Sequence, residues 1–358
     1  MHRRAFRVWR DAHSCCNRNM KNIRTLAAAI SVAAAFTIYA EPYKVIVPLS
    51  ADENGALAVI HNYDTGEPVD SATVAAQAAV FTGTIEEPFV ARVSINGKRG
   101  PVFIMESGTI SFSKNYDAFG TMLNDQMRSI EAGFEKHSAE YNAATSDEER
   151  QKAYDSLFAA LDKAIEDNDD NPLGYYYYIQ RLGTMQNAQE IRDMIAKYPA
   201  FASSERSKSM LAAAEKREAT QPGKKFVDFE VTYDGQTKRL SDYVGKGKYT
   251  LVDFWASWCG PCIRETKVIK ELYNTYKDKG LEVLGVAVWD EPENTKSAIK
   301  AHKLPWENII NAQTIPTDLY GISGIPCIIL FGPDGTIISR DKQDDDLRAD
   351  VAKAMENK

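Results

Sequence analysis

Leu251-Val252-Asp253-Phe254-Trp255-Ala256-Ser257-Trp258-Cys259-Gly260-Pro261-Cys262 is the stretch on which the reading of this chain turns. Its first half continues from Tyr249 as an apolar run holding one acid, the pattern of a strand buried on both faces. Its second half is a Cys-x-x-Cys pair at the head of a helix expected from about Cys259 to Tyr276. Two cysteines at that spacing can close a small-ring disulfide, and the positive end of the helix with its free amides stabilises the first thiolate. Cys259 is therefore expected to be the exposed nucleophile. Cys262, nearly one turn further and directed toward the protein, is placed to attack the mixed disulfide and release the reduced partner, the work of a resolving thiol. A Cys-x-x-Cys can also be half of a zinc site, but that needs a second ligand pair. The chain has no other such motif, and His2, His13, His61, His137 and His302 are scattered singly, so no metal is expected. A purely structural disulfide would gain little from so short a loop. The pair reads as a redox-active disulfide that needs no further cofactor.

Outward from this stretch, strand and helix signals alternate. After Lys224 come a hairpin over 226–233 and 237–240, a second apolar strand over 281–288 and a helix over 294–302. A hairpin over 328–331 and 336–339 follows, around Pro333-Asp334-Gly335, and then a helix over 344–355. Apolar strands separated by helices imply an α/β fold, a mixed sheet with flanking helices. Upstream, residues 41–120 carry short β-branched runs at 43–47, 73–80, 88–95, 102–105 and 109–112. Turn residues such as Asn96-Gly97 break them up, as in a small antiparallel β domain. Residues 121–221 change to apolar positions three and four apart (Ile130, Phe134, Tyr141; Leu157, Leu161, Ile165), a helical segment. Asn171-Pro172 suits a helix start, and Gln221-Pro222-Gly223 ends the block. Tyr175 to Tyr178 cover every side of a helix, so they read as core plus interface rather than as an aromatic platform.

The chain has 358 residues, 44% hydrophobic and 26% charged, which is too long for one small domain. Five cysteines in that length exclude a disulfide-stapled mini-protein. A net charge of −7 argues against nucleic acid as a partner. The first 40 residues run against this balance, with Arg3, Arg4, Arg7, Arg10, Arg18, Lys21 and Arg24 against Asp11 alone. Lys21 and Arg24 precede the apolar run from Leu26 to Tyr39, so residues 1–40 read as a secretory signal peptide cleaved near Ala40. The run is shorter than the roughly 20 apolar residues of a bilayer span. Met20 opens a signal by itself, which makes residues 1–19, with Cys15 and Cys16, a candidate upstream mis-start. No cysteine directly follows the run, so a lipid anchor is not supported. The expected location is the periplasm or cell envelope, an oxidising compartment.

The segment Leu251 to Cys262 resembles the active-site segment of thioredoxins. Its wider setting over 222–358 resembles the TlpA/ResA-type secreted thioredoxin-like proteins. That setting includes Leu240-Ser241-Asp242-Tyr243, Leu304-Pro305-Trp306, Tyr320-Gly321-Ile322-Ser323-Gly324-Ile325-Pro326 and Gly332-Pro333-Asp334-Gly335. The resemblance implies a thioredoxin-like C-terminal domain and a cis peptide before Pro326. It also implies a loop beside the Cys-x-x-Cys whose Ile325 backbone pairs with the substrate chain. Upstream, Phe81 to Ile85, Phe103 to Ile110 and Gly120 to Asp125 resemble a β domain of unknown function that often precedes such domains, and that likeness brings no chemistry with it.

Two acids are candidate proton carriers. Asp253 falls where thioredoxins place a buried acid beneath the resolving cysteine. A carboxyl in an apolar strand is desolvated, so its pKa should rise toward the range useful for moving the Cys262 proton. The alternative is an Asp bonded to backbone at the strand end. Glu265 lies three residues after Cys262, on its helix face, and matches an acidic position of the TlpA/ResA-like proteins. The proline usual two residues later is Lys267 here, and a solvated helix glutamate stays open. Cys327 stands where the family commonly has threonine. It reads as inert packing, with a third redox thiol as the alternative. Trp255 reads as core. Trp258, with Gly260, Pro261, Ile325 and Pro326, reads as substrate-binding surface.

The expected function is an envelope thiol:disulfide oxidoreductase. Gly260-Pro261 and Ile325 resemble reducing thioredoxins, which favours reduction of protein disulfides, cytochrome c precursor thiols among the candidates. A membrane electron donor would then recharge the pair. A thiol peroxidase is the alternative enzyme, although peroxiredoxin-like sites resemble a threonine three residues before the attacking cysteine and Ala256 is there. A third reading is a non-enzymatic partner-binding protein with an adaptor domain. Domain order suggests a partner-binding or homodimerising role for residues 41–220.

Overall fold

The computed structural model describes residues 40–185 and 187–356. The signal-peptide expectation therefore lies outside the described residues except at Ala40. The described residues form two compact units: 40–185 with Ile191–Ser209, and 187–190 with Met210 onward.

The first unit opens with eight strands: β1 (Glu41–Pro48), β2 (Leu57–Asn62), β3 (Pro68–Thr73), β4 (Ala78–Ile85), β5 (Phe89–Ile95), β6 (Lys98–Met105), β7 (Gly108–Phe112) and β8 (Ala118–Phe119). They form two four-stranded sheets, ordered β4-β1-β7-β8 and β3-β2-β5-β6. All pairings are antiparallel except β1 with β7. Val45, Val47, Phe81 and Ile110 of one sheet share a core with Ile60, Val93, Phe103 and Met105 of the other, so the sheets pack face to face. Asn96 and Gly97 turn β5 into β6 with φ of 47° and 75°, the positive values a two-residue hairpin asks for. The expected strand over 73–80 is corrected: Ala76 and Gln77 have φ of 49° and 63°, so the backbone turns there and separates β3 from β4.

The helical segment holds α1 (Met122–Ala143), α2 (Asp147–Glu166), α3 (Pro172–Leu182), α4 (Ala188–Lys197) and α5 (Glu205–Ala219). Asn171 caps α3 by accepting from the amides of Leu173 and Gly174, with Pro172 at the position where no donor is missed. Tyr177 and Tyr178 are buried in the core, as the reading of the tyrosine run had it.

The second unit adds a hairpin, β9 (Glu230–Tyr233) and β10 (Gln236–Arg239), and then a five-stranded mixed sheet. Its strands are β11 (Tyr249–Trp255), β12 (Leu281–Ala287), β13 (Glu307–Ile309), β14 (Cys327–Phe331) and β15 (Ile337–Arg340), in the order β13-β12-β11-β14-β15. β11 runs parallel to β12 and antiparallel to β14. The helices are α6 (Gly260–Tyr276), α7 (Pro292–Ala301), α8 (Ile315–Tyr320) and α9 (Asp344–Glu356). α6, α7 and α9 pack on the face that carries Leu251, Trp255, Ile328 and Leu330. The β9–β10 hairpin and α8 cover the face that carries Val252, Phe254, Cys327 and Ile329. Period-two alternation thus assigns β11 to two separate cores. This is a thioredoxin-like α/β architecture. The later turns of α5 also pack in this unit: Gly321, at φ 59°, lies so close that a Cβ would come 2.1 Å from Ala213 O.

Candidate active site

β11 ends at Trp255, and four residues later the chain enters α6. Cys259 is the N-cap of that helix, its Sγ accepting from the Cys262 amide at 3.2 Å, and Pro261 occupies the first turn. The two cysteines are joined in a disulfide. The expectation of an exposed Cys259 is corrected: the residue is 4% accessible, because its sulfur folds back over the first turn of the helix. Accessible instead are Gly260, Pro261 and Trp258, the last at 54%, and they form a rim around a nearly covered disulfide. The Trp258 indole is fixed by donation from Nε1 to Trp289 O at 2.9 Å.

Asp253 lies on β11 between Leu251 and Trp255, so alternation places it on the disulfide's face of the sheet. It is buried, and Oδ1 has no hydrogen-bond partner, which excludes the backbone-bonded alternative for that oxygen. Burial first, and then the charge of Glu265, push its pKa up to about 8. Glu265 is 4% accessible, which removes the solvated-helix reading. Its Oε1 accepts from the Asp344 amide at the start of α9 at 2.9 Å, and burial raises its pKa against that bond. Lys267 sits within an uninterrupted α6.

The Ile325–Pro326 peptide is cis. It immediately precedes β14, one step beyond the Phe254–Cys327 pair, which brings Pro326 level with Trp255. Ile325 packs against the core that contains Cys259 and Cys262. The structure thus gathers Cys259, Cys262, Asp253, Glu265, Ile325 and Pro326 at one end of one sheet face. It leaves Cys327 out. The Cys327 side chain belongs to the opposite core and its Sγ lies 3.1 Å from Asp341 Oδ1.

Sequence reasoning missed Asp290, whose buried carboxylate accepts from Ser257 two residues before Cys259. Its only sequence signal is an acid just after an apolar strand. Among the described residues, no group of three or more His, Cys, Asp or Glu is arranged to hold a metal, and no helix is long and apolar enough to cross a membrane.

Residues 222–340 match the AhpC/TSA family, and residues 43–127 match a domain of unknown function, DUF4369. The thiol-disulfide oxidoreductase ResA of Bacillus thuringiensis subsp. konkukian is 31% identical over 128 residues, 36% of this chain and 73% of that protein. ResA of a Bacillus cereus strain is 30% identical over 125 residues, 35% and 71%. ResA of Geobacillus thermodenitrificans is 33% identical over 104 residues, 29% of this chain, which spans 59% of that relative's length. Among solved structures, the thioredoxin domain of a thiol-disulfide oxidoreductase from Bacteroides vulgatus is 33% identical. The match covers 37% of this chain and 96% of that one, with a TM-score of 0.33. A thiol-disulfide oxidoreductase from Bacteroides fragilis is 28% identical, covering 36% and 98%, with a TM-score of 0.34.

Proposed function

The chain belongs to the ResA family of thiol-disulfide oxidoreductases, and from that premise we propose that it reduces protein disulfides in the cell envelope by dithiol exchange at Cys259 and Cys262. The reduced Cys259 thiolate attacks one sulfur of a substrate disulfide, forming a mixed disulfide and expelling the other substrate sulfur as a thiolate. Cys262, deprotonated, attacks Cys259 Sγ, closes the Cys259–Cys262 disulfide and releases the second substrate thiolate. Two electrons have passed to the substrate, and a dithiol donor at the membrane restores the pair.

The observation that carries this reading is the disulfide at the N-terminus of α6 on the same sheet face as Asp253, a buried carboxyl with a bare oxygen. With a pKa near 8, Asp253 is mostly protonated at neutral pH, and its ionised fraction, about a tenth at pH 7, is basic enough to take the Cys262 proton, where an ordinary carboxylate is too weak a base. The rim of Trp258, Gly260 and Pro261 and the Ile325 backbone are assigned to the substrate chain, and Glu265 to relaying the proton outward. Gly260-Pro261 supports the reducing direction. The basic and apolar N-terminus supports export, and domain order supports partner binding or self-association through residues 41–220. The peroxidase alternative lacks its donor, since Ala256 occupies the third position before Cys259.

Titrating the Cys259/Cys262 pair against glutathione or dithiothreitol tests the direction. A potential near the thioredoxin value of about −270 mV supports a reductase, whereas one near about −120 mV makes the protein a disulfide donor and overturns the proposal. Cys259→Ala should abolish turnover, and Cys262→Ala should accumulate mixed disulfides. Full turnover without either thiol would end the dithiol mechanism.

A further inference from the structure

We infer that Asp290 is a positioning residue for the dithiol chemistry, a buried strut that fixes the turn presenting Cys259 and Trp258 to substrate. The inference rests on the reading of Cys259 as the attacking thiol.

Asp290 follows β12 by three residues and is 5% accessible, so its carboxylate has given up most of its water and needs partners within the protein. It finds three. Oδ2 accepts from the Ser257 amide at 2.8 Å, Oδ1 from Ser257 Oγ at 2.8 Å, and Oδ2 again from Thr295 Oγ1 of α7 at 2.7 Å. Ser257 is thus held by both its main chain and its side chain. The strut is itself braced: the Asp290 carbonyl accepts from Gln313 Nε2 at 2.8 Å, and Thr295 is fully buried.

Two further bonds tie the same two segments together. Val288 N donates to Trp255 O at 2.9 Å, and Trp258 Nε1 donates to Trp289 O at 2.9 Å. Residues 288–290 therefore grip Trp255, Ser257 and Trp258, the last of them next to Cys259. The turn so gripped sets the Cys259 geometry, since Cys259 N donates to Ala256 O at 3.1 Å before its sulfur caps α6. A thiolate gains from a helix N-terminus only when aligned with it, and the benefit fades within the first turn. Loosening Ser257 moves both the sulfur and the exposed indole. Charged groups near this site on other elements include the Arg264 guanidinium beside Gly260, and Asp253 and Glu265 on the disulfide's face of the sheet. Substitution of Asp290 leaves all three in place and removes one negative charge, which by itself would lower the Cys259 profile, so an upward shift reports lost alignment with the helix.

The test compares full-length protein carrying Cys262→Ala, reduced, with and without Asp290→Ala, reading the rate of Cys259 alkylation against pH alongside thermal melting. The strut predicts that Asp290→Ala shifts the alkylation profile upward by about one unit, toward a free thiol. In protein with both thiols, kcat/KM for a disulfide substrate should fall by about 10- to 100-fold, as for a misplaced reacting group. Asp290→Asn, which keeps an oxygen for the Ser257 amide, should recover part of both. A cooperatively melting Asp290→Ala protein whose alkylation profile overlays the parent's would overturn the inference and leave Asp290 a scaffold residue. Should Asp290→Ala not fold, Ser257→Ala decides: a shift in the same direction supports the strut, and an unmoved profile rejects it. An unreactive Cys259 in the parent would instead defeat the proposed function, so the two failures are distinguishable.

Discussion

Cys262 and Cys327 are both buried in the same unit, each has a carboxyl on its own side of the sheet, and they differ in what surrounds that carboxyl. On the Cys262 face, Asp253 has a bare oxygen, no cation bonded to it and the second acid Glu265 nearby, so a proton is what neutralises it. On the Cys327 face, Asp341 is held by Arg217 Nη2 at 2.6 Å and Arg340 Nε at 3.3 Å. The Cys327 thiol then donates to a carboxylate already paired with cations. Burial first, and then the charge of Asp341, raise its pKa well above the ordinary thiol value. Cysteine beside acid is thus no signature in itself. The acid without a counter-ion can trade a proton with a thiol, and the ion-paired acid locks its thiol in the neutral form.

The largest effect should come from breaking the ion-paired side. Arg340 is 6% accessible and binds Asp341, Thr220 O and Oγ1, and Tyr320 O. Arg340→Met removes a buried cation and leaves those acceptors short of donors, which costs about 3–5 kcal/mol for broken buried pairs of this kind. The melting temperature should fall sharply, while Cys259 alkylation in the protein that remains folded keeps the parent rate. A changed alkylation rate would mean that the two faces are coupled.

Asp253→Asn tests the other side. The unfolded carboxyl ionises near 3.8 and the folded one near 8, so as pH rises the unfolded chain releases its proton first. The stability tied to this group is therefore full below the unfolded value and is lost as pH climbs through the folded one. By pH 7 the loss is on the order of 4 kcal/mol. Asparagine removes the titration but buries an amide without partners, at about 1–3 kcal/mol. The variant should be more stable than the parent at pH 8 by about 2–4 kcal/mol, with a flatter stability–pH curve in denaturant titrations. Resolution of the mixed disulfide should slow by about 100-fold, the usual share of a positioned base, with first attack by Cys259 less affected. Parallel stability curves for the two proteins would show that Asp253 ionises normally and is no base for Cys262.

What the sequence made legible in this comparison was local. Strand β11, the cysteine spacing, the acid at 253 and the helix face shared by Cys262 and Glu265 all follow from neighbours in the chain, and the cis peptide before Pro326 followed from family likeness. What it hid depends on distance or on weak elements. The bonds from Arg340 to Thr220 span 120 residues, and those from Asp290 to Ser257 span 33, with nothing in either segment to announce the other. β2 went unread because Leu57 is turned out to solvent, β3 because the run Pro68–Thr73 buries none of its residues fully, and β13 and α8 because they are short. The exposure expected of Cys259 failed for a geometric reason: an N-cap sulfur that accepts from the third residue of its own helix turns away from solvent.

The smallest expected effect separates the two cysteines most cleanly. Cys327→Ser keeps a donor within reach of Asp341 Oδ1, so the Arg217–Asp341–Arg340 cluster retains its hydrogen bond. The swap exchanges a buried thiol for a buried, bonded hydroxyl, a change of about 1 kcal/mol in stability at most by the usual worth of such a bond. Disulfide turnover should match the parent's, because the sulfur removed faces the core opposite the one that holds Cys259 and Cys262. Cys327→Ala, which deletes the donor, should cost more stability and still leave turnover alone. A large fall in turnover with Cys327→Ser, in protein that melts like the parent, would put a third thiol into the redox cycle. The counter-ion rule that distinguishes the two faces would then have to be given up.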